Sequence, residues 1–185
     1  AIPFMKEAAK AKKPFYVNLW PDDVHSPFWP PVDKWGNGKR ELYLQVLHEM
    51  DRQFGKLFDF VRDDDALLKN TLVLICSDNG PEQGAGVAGP FRGYKTHLYE
   101  GGVRSSLIAW GPGLIPSNNN ESIGKVNEKS VFSAVDLVPT LLELADVPHP
   151  KGVKYDGESL PDVLLGKSDA SRKQPLLFRR PPDRD

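Results

Sequence analysis

One cysteine stands among the 185 residues. That excludes an intramolecular disulfide framework and leaves the redox compartment open. Net charge is nearly absent as well: Lys+Arg 24 against Asp+Glu 25 gives −1. No overall field therefore draws the chain to nucleic acid or to an anionic membrane. No apolar run approaches the roughly 20 residues that span a bilayer, and there is no internal repeat or interdomain linker. The opening residues, Ala1-Ile2-Pro3-Phe4-Met5-Lys6, lack a signal-peptide pattern. In the interior of a longer chain such a signal would not be seen. What is present is 39% hydrophobic and 26% charged residues, ordinary for a soluble globular domain with a sizeable core. The 17 prolines and 16 glycines point to many loops.

The most informative stretch is Leu72 to Gly102. Leu72-Val73-Leu74-Ile75-Cys76 is a short apolar run, the pattern of a strand buried on both faces. Cys76 is expected there as a small core hydrophobe. The run stops at Ser77-Asp78-Asn79-Gly80, a turn sequence. In an open α/β sheet ligands collect beyond the carboxyl ends of strands. There Asp78 and Asn79 offer a carboxylate and a carbonyl oxygen to a hard cation such as Ca²⁺ or Mg²⁺. A glycine-rich loop then leads to Arg92-Gly93-Tyr94-Lys95, to Glu100-Gly101-Gly102-Val103-Arg104, and to a second apolar run over Leu107–Trp110.

Upstream, Met5 to Lys13 reads as the end of a helix. Phe15 to Trp20 reads as a strand of aromatic and β-branched residues. It leads to a proline-rich loop carrying His25, with Asp22 and Asp23 as turn residues. From Lys39 to Arg62 apolar residues recur at steps of three and four, which predicts one long amphipathic helix with Met50 and Phe54 in the core. Asp63-Asp64-Asp65 reads as a solvated turn. The order strand–helix–strand predicts an α/β fold with a mostly parallel sheet flanked by helices. Residues 116–130 read as a polar surface loop. Asp136 is expected to N-cap a helix from Leu137 to Ala145. Leu176–Phe178 reads as one more strand and 179–185 as a tail.

The order strand–SDNG–glycine-rich loop–RGxK–EGGxR–strand–PG resembles the type I sulfatases of the alkaline phosphatase superfamily. His25-Ser26-Pro27 matches their H-x-P motif. Val135 to Leu142 matches their V-D-L-x-P-T-L-L helix, and Asp156-Gly157-Glu158-Ser159-Leu160 their D-G-x-S-L segment, both read here as packing. The pattern leans towards the arylsulfatase A or N-acetylgalactosamine-6-sulfatase branch.

The resemblance implies an alkaline-phosphatase-like fold and hydrolysis of sulfate monoesters, of small molecules or of carbohydrates. His25 and Lys95 would be the catalytic and substrate-binding residues, with Asp78 and Asn79 as metal ligands to Ca²⁺. Arg92, His97, Glu100 and Arg104 stay outside this set, with Glu100 and Arg104 read as an internal pair. The family's nucleophile is a formylglycine in a C/S-x-P-x-R motif, which this chain lacks. The chain is therefore expected to be the C-terminal portion of a catalytic domain, incomplete at its N-terminal side and inactive alone, with exposed surface prone to self-association. Two alternatives remain at this point: a phosphodiesterase or phosphonate monoester hydrolase of the same superfamily, and a truncated non-catalytic module binding anions or glycans. The family also implies a secreted, periplasmic or lysosomal location, with no nucleic-acid or membrane partner.

Overall fold

The structure, a computed structural model, describes residues 1–36, 38–115 and 124–179. Much of the expected polar loop (116–123) and nearly all of the tail (180–185) lie outside the described residues. The chain divides into two compact units. One comprises Ala1–Leu68 with Cys76–Leu107, the other Lys69–Ile75 with Ile108–Asp185.

In the first unit, α1 (Ile2–Lys10) carries Pro3 in its first turn and Lys10 in its last, both favoured there. It buries Met5. The long helix α2 runs Lys39–Arg62, with the bounds that the apolar periodicity predicts. Its stripe buries Val46 and Val61, while Met50 and Phe54 are half-buried. Phe28, Val46 and Ala85 form a small core with Val24, Leu42 and Tyr43 packed against it. Phe28 and Tyr43 meet edge to face at 5.5 Å, the arrangement that aromatic quadrupoles favour.

The acidic run after α2 does more than solvate a turn. The Asp64 carboxylate accepts hydrogen bonds from the amides of Ala66 and Leu67, at 2.9 and 3.0 Å. It thereby caps the short helix α3 (Asp65–Asn70).

β1 (Val73–Cys76) and β2 (Leu107–Trp110) pair in a two-stranded sheet, the one sheet among the described residues. β1 is half-buried, and Cys76 at its end is exposed. The expected buried thiol is therefore corrected: the strand's polar exit begins one residue earlier. Phe15–Trp20 and Leu176–Phe178 are not strands either. Tyr16 is 70% exposed and Leu177 92%. A strand needs a neighbour to take its backbone groups, and propensity supplies none.

Helix α5 spans Ala134–Leu144 and opens on a capping box. Ser133 is its N-cap, and the Ser133 amide donates to Asp136 Oδ2 at 2.8 Å. Asp136 is thus the third helical residue and not the N-cap. It is fully buried, and its Oδ1 accepts from the Arg172 guanidinium at 2.6 Å and from the Glu158 amide at 2.8 Å. Thr140, also fully buried, accepts from the Leu160 amide at 3.0 Å. These bonds tie the Asp156–Leu160 segment and the 171–174 turn to α5, beside the short helix α6 (Pro161–Leu164). The packing role read for Asp156-Gly157-Glu158 is visible at Gly157. A side chain there would overlap the Val135 carbonyl.

Candidate active site

Every candidate residue lies in the first unit. The Ser77-Asp78-Asn79-Gly80 turn leaves β1 and meets helix α4 (Glu100–Val103) backbone to backbone. The Gly80 amide donates to the Gly102 carbonyl at 2.8 Å, and the Gly101 amide to the Arg92 carbonyl at 2.8 Å. A Cβ on Gly80 would overlap the Gly101 carbonyl, one on Gly101 would lie 2.7 Å from the Arg92 oxygen, and one on Gly102 would overlap the His97 carbonyl. Three loops thus converge where no side chain fits, which explains glycine at all three positions.

This junction sets Lys95. Its amide donates to the Pro81 carbonyl at 2.8 Å, three residues beyond Asp78. The ammonium of Lys95 then reaches His25, 70 residues away in sequence, with Nζ 3.0 Å from Nε2. The other ring nitrogen, Nδ1, is 2.8 Å from the Ser26 carbonyl. A carbonyl can only accept, so Nδ1 carries the hydrogen and Nε2 presents its lone pair to Lys95. His25 is exposed and Lys95 half-buried, so both remain open to a ligand.

Asp78 is exposed and Asn79 half-buried. The Asn79 carbonyl is taken by the Ser77 hydroxyl at 2.8 Å, while no side-chain bond ties Asp78 or Asn79 to another described residue. Their donor set, one carboxylate and one amide oxygen, suits a hard cation. It is only part of a site, since Ca²⁺ takes six to eight oxygens, and the described residues hold no cluster of three or more His, Cys, Asp or Glu around one point.

Sequence reasoning missed Lys39 and Glu82. The Lys39 ammonium pairs with the Glu82 carboxylate and donates to the Gln83 carbonyl at 3.1 Å. Arg40 donates to the Ala85 carbonyl at 2.8 Å. The first turn of α2 thereby fastens the loop that follows Asn79. The Lys39 hydrogen bond holds the Glu82 carboxyl below its ordinary range, with the positive charges of Lys39 and Lys95 adding to it. The signal in the sequence was the pairing of a basic helix start with an acid in the glycine-rich loop, too common a pattern to single out.

The remaining polar residues of the motif contact one another or its aromatic rings. Arg104 pairs with Glu100 at 3.3 Å and stacks on Phe91 at 4.4 Å. Arg92 lies over the Tyr99 ring at 4.0 Å. The His97 ring packs 4.1 Å from Tyr94, its Nδ1 buried without a hydrogen-bond partner among the described residues.

The Sulfatase family model matches residues 1–147. The N-acetylgalactosamine-6-sulfatase of Canis lupus familiaris is 33% identical over 186 residues, covering 97% of this chain and 34% of the relative. Arylsulfatase A of Homo sapiens is 31% identical over 183 residues, again covering 97% and 34%. Among solved structures, the PsFucS1 sulfatase of Pseudoalteromonas sp. matches with a TM-score of 0.75 at 28% identity, covering 94% of this chain and 34% of that one. A second structure, from work on the metabolism of multiple glycosaminoglycans by Bacteroides thetaiotaomicron, matches at TM-score 0.73 and 25% identity, covering 93% and 37%. The chain spans about a third of the length of these relatives. The α/β class expected from the sequence holds, and with the family match over most of its length the chain belongs to the sulfatase family.

Proposed function

We propose that the intact protein hydrolyses sulfate monoesters of carbohydrates, and that this chain supplies the corner of the active site that grips sulfate and protonates the leaving oxygen. The observation carrying this reading is the Lys95–His25 contact of 3.0 Å. A sulfate monoester holds negative charge on its nonbridging oxygens, and cleavage adds charge to the leaving alkoxide. Lys95 supplies a fixed positive charge for a sulfuryl oxygen. When an anion takes that ammonium, His25 Nε2 is released, takes up a proton from solvent water, and as the imidazolium can pass that proton to the leaving oxygen. The Ser26 carbonyl keeps the ring in the orientation this needs.

Asp78 and Asn79 would hold part of a Ca²⁺ or Mg²⁺ site, where the cation polarises sulfuryl oxygens. The nucleophile, a formylglycine by resemblance, belongs to the part of the protein before residue 1. Cys76 does not replace it, since it sits at the end of β1 and outside any C/S-x-P-x-R motif. These 185 residues alone are therefore inactive in this reading. The sulfated-sugar preference is supported by N-acetylgalactosamine-6-sulfatase among the relatives. A secreted, periplasmic or lysosomal location follows from the family. No described helix is long and apolar enough to cross a membrane.

Intact mass and a peptide map of the protein from its native source test this. The expected result is a longer chain whose C/S-x-P-x-R residue is converted to the aldehyde. It should turn over N-acetylgalactosamine 6-sulfate in preference to a phosphate diester or phosphonate monoester. A native chain starting near Ala1, or preference for the phosphorus esters, overturns it.

A further inference from the structure

A second feature adjoins the Lys95–His25 pair. Beyond His25 the chain bends through Ser26 and Pro27 and then runs proline-rich without helix or strand to Pro31; along it Phe28 and Pro30 are buried, while Trp29 between them is 67% exposed. Trp35, after a single 3-10 turn (Val32–Lys34), is 53% exposed. Its Nε1 donates to the Pro30 carbonyl at 3.1 Å, which fixes the indole, and its ring lies 5.5 Å from that of Trp29, tilted by 49°. The two indoles form walls of an open cleft of about 430 Å³, closed by Ser26, Pro27, Lys39 and Leu42. That volume falls in the range of small-molecule sites.

Two large exposed aromatics held by prolines and by a hydrogen bond are costly to keep in water unless something covers them. The cleft's position says what. Ser26, whose carbonyl orients His25, is one of its walls, and Lys39, whose ammonium is fastened beside Glu82 and Gln83, is another. The cleft thus begins one residue from the group proposed to protonate the leaving oxygen. A ligand with apolar faces and polar edges fits indole walls bordered by Ser26 and Lys39. A pyranose ring has that form, with axial C–H groups for indole faces and hydroxyls for the polar rim.

We propose that the Trp29–Trp35 cleft is the subsite for the sugar ring of the sulfated substrate, so that the indoles select carbohydrate esters over other sulfate esters. This rests on the sulfatase reading for the direction of the substrate, but the binding of a sugar ring is tested without it. In the full-length protein, Trp29→Ala and Trp35→Ala should each raise KM for N-acetylgalactosamine 6-sulfate by roughly threefold to tenfold, the range of one aromatic contact. Inhibition by inorganic sulfate, which needs only the anion corner, should stay within about twofold by the same logarithmic relation. Trp29→Phe should recover most of the loss.

Unsulfated N-acetylgalactosamine should saturably change the tryptophan emission of the wild type, and less so that of Trp29→Phe. If sulfate esters are not turned over but this sugar still shifts the emission, the sulfatase reading fails and the subsite stands. A KM unchanged by both alanine variants overturns the subsite. So does wild-type Trp29 shielded from acrylamide without sugar, which would mean that other segments of the protein fill the cleft. Should the alanine variants fail to fold, the emission titration and the acrylamide measurement on wild type decide alone.

Discussion

Replacing Arg172 by alanine would leave the Asp136 carboxylate fully buried, with the Glu158 and Ser133 amides as its hydrogen-bond donors and no counter-charge. The Arg172 side chain is 4% exposed and that of Asp136 0%, so the pair is shielded from water in the native packing. Breaking a buried pair from one side costs about 3–5 kcal/mol, a large part of the roughly 5–15 kcal/mol that holds a typical fold. The two amides that Asp136 also satisfies separate this charge effect from simple loss of packing. In an Asp136→Asn background the buried Arg172 guanidinium has lost its partner charge and keeps the Gln174 carbonyl at 2.8 Å and Glu158 at 4.0 Å. Removing it there relieves a poorly paired buried charge as well as breaking a hydrogen bond, so Arg172→Ala should cost no more than about 1–2 kcal/mol. Equilibrium urea unfolding of the four full-length variants gives the cycle directly. A loss below about 1 kcal/mol for Arg172→Ala, or the same loss in both backgrounds, would refute the reasoning.

Gly80→Ala should lower sulfate ester turnover at least tenfold, on the order of one misplaced catalytic group, because its Cβ would overlap the Gly101 carbonyl. Gly55→Ala, at a site with open space inside α2, should instead raise stability by about 0.5–1 kcal/mol. Both are read from activity and urea midpoints. The Lys39 hydrogen bond holds the Glu82 carboxyl below the usual carboxylate range. A carboxyl depressed in the folded state adds stability above its unfolded pKa, and this is lost as pH falls through the folded one. Thermal midpoints of wild type should therefore drop towards those of Glu82→Gln between pH 4.5 and more acid values, and a gap that persists there would contradict the pairing. Asp78→Asn should weaken Ca²⁺ binding, measured by calorimetry on the full-length protein. Activity lost to a chelator should then need more Ca²⁺ to return than in wild type, and unchanged affinity would remove Asp78 from the metal site.

The parts of the fold that were legible in the sequence are those decided locally. α2 follows from a period of three and four sustained from Tyr43 to Val61, and its observed bounds are Lys39–Arg62. Gly80 was readable as a turn residue and Gly101–Gly102 as part of the glycine-rich stretch, while the carbonyls that approach them needed the structure. Elements that depend on a distant partner were not legible. Phe15–Trp20 has strand propensity, yet no described strand pairs with it. Asp136 looked like a cap because nothing local announces Arg172, 36 residues on. Cys76 belongs to an apolar run but ends it, and exposure at a strand end is set by what packs there. At the site, the order of motifs suggested His25 and Lys95. Their contact, and the Trp29–Trp35 cleft beside it, needed three-dimensional positions.

The most direct test is Lys95→Ala in the full-length protein, assayed for kcat/KM on N-acetylgalactosamine 6-sulfate and for inhibition by inorganic sulfate. Lys95 meets His25 at 3.0 Å and is proposed to grip the sulfate. The variant should therefore lose roughly 10²–10³-fold in kcat/KM, as when one preorganised donor to a charged transition state is removed, and its inhibition by sulfate should weaken in parallel. A kcat/KM within about twofold of wild type, a difference of under 0.5 kcal/mol, would show that the Lys95–His25 contact is not where sulfate is held.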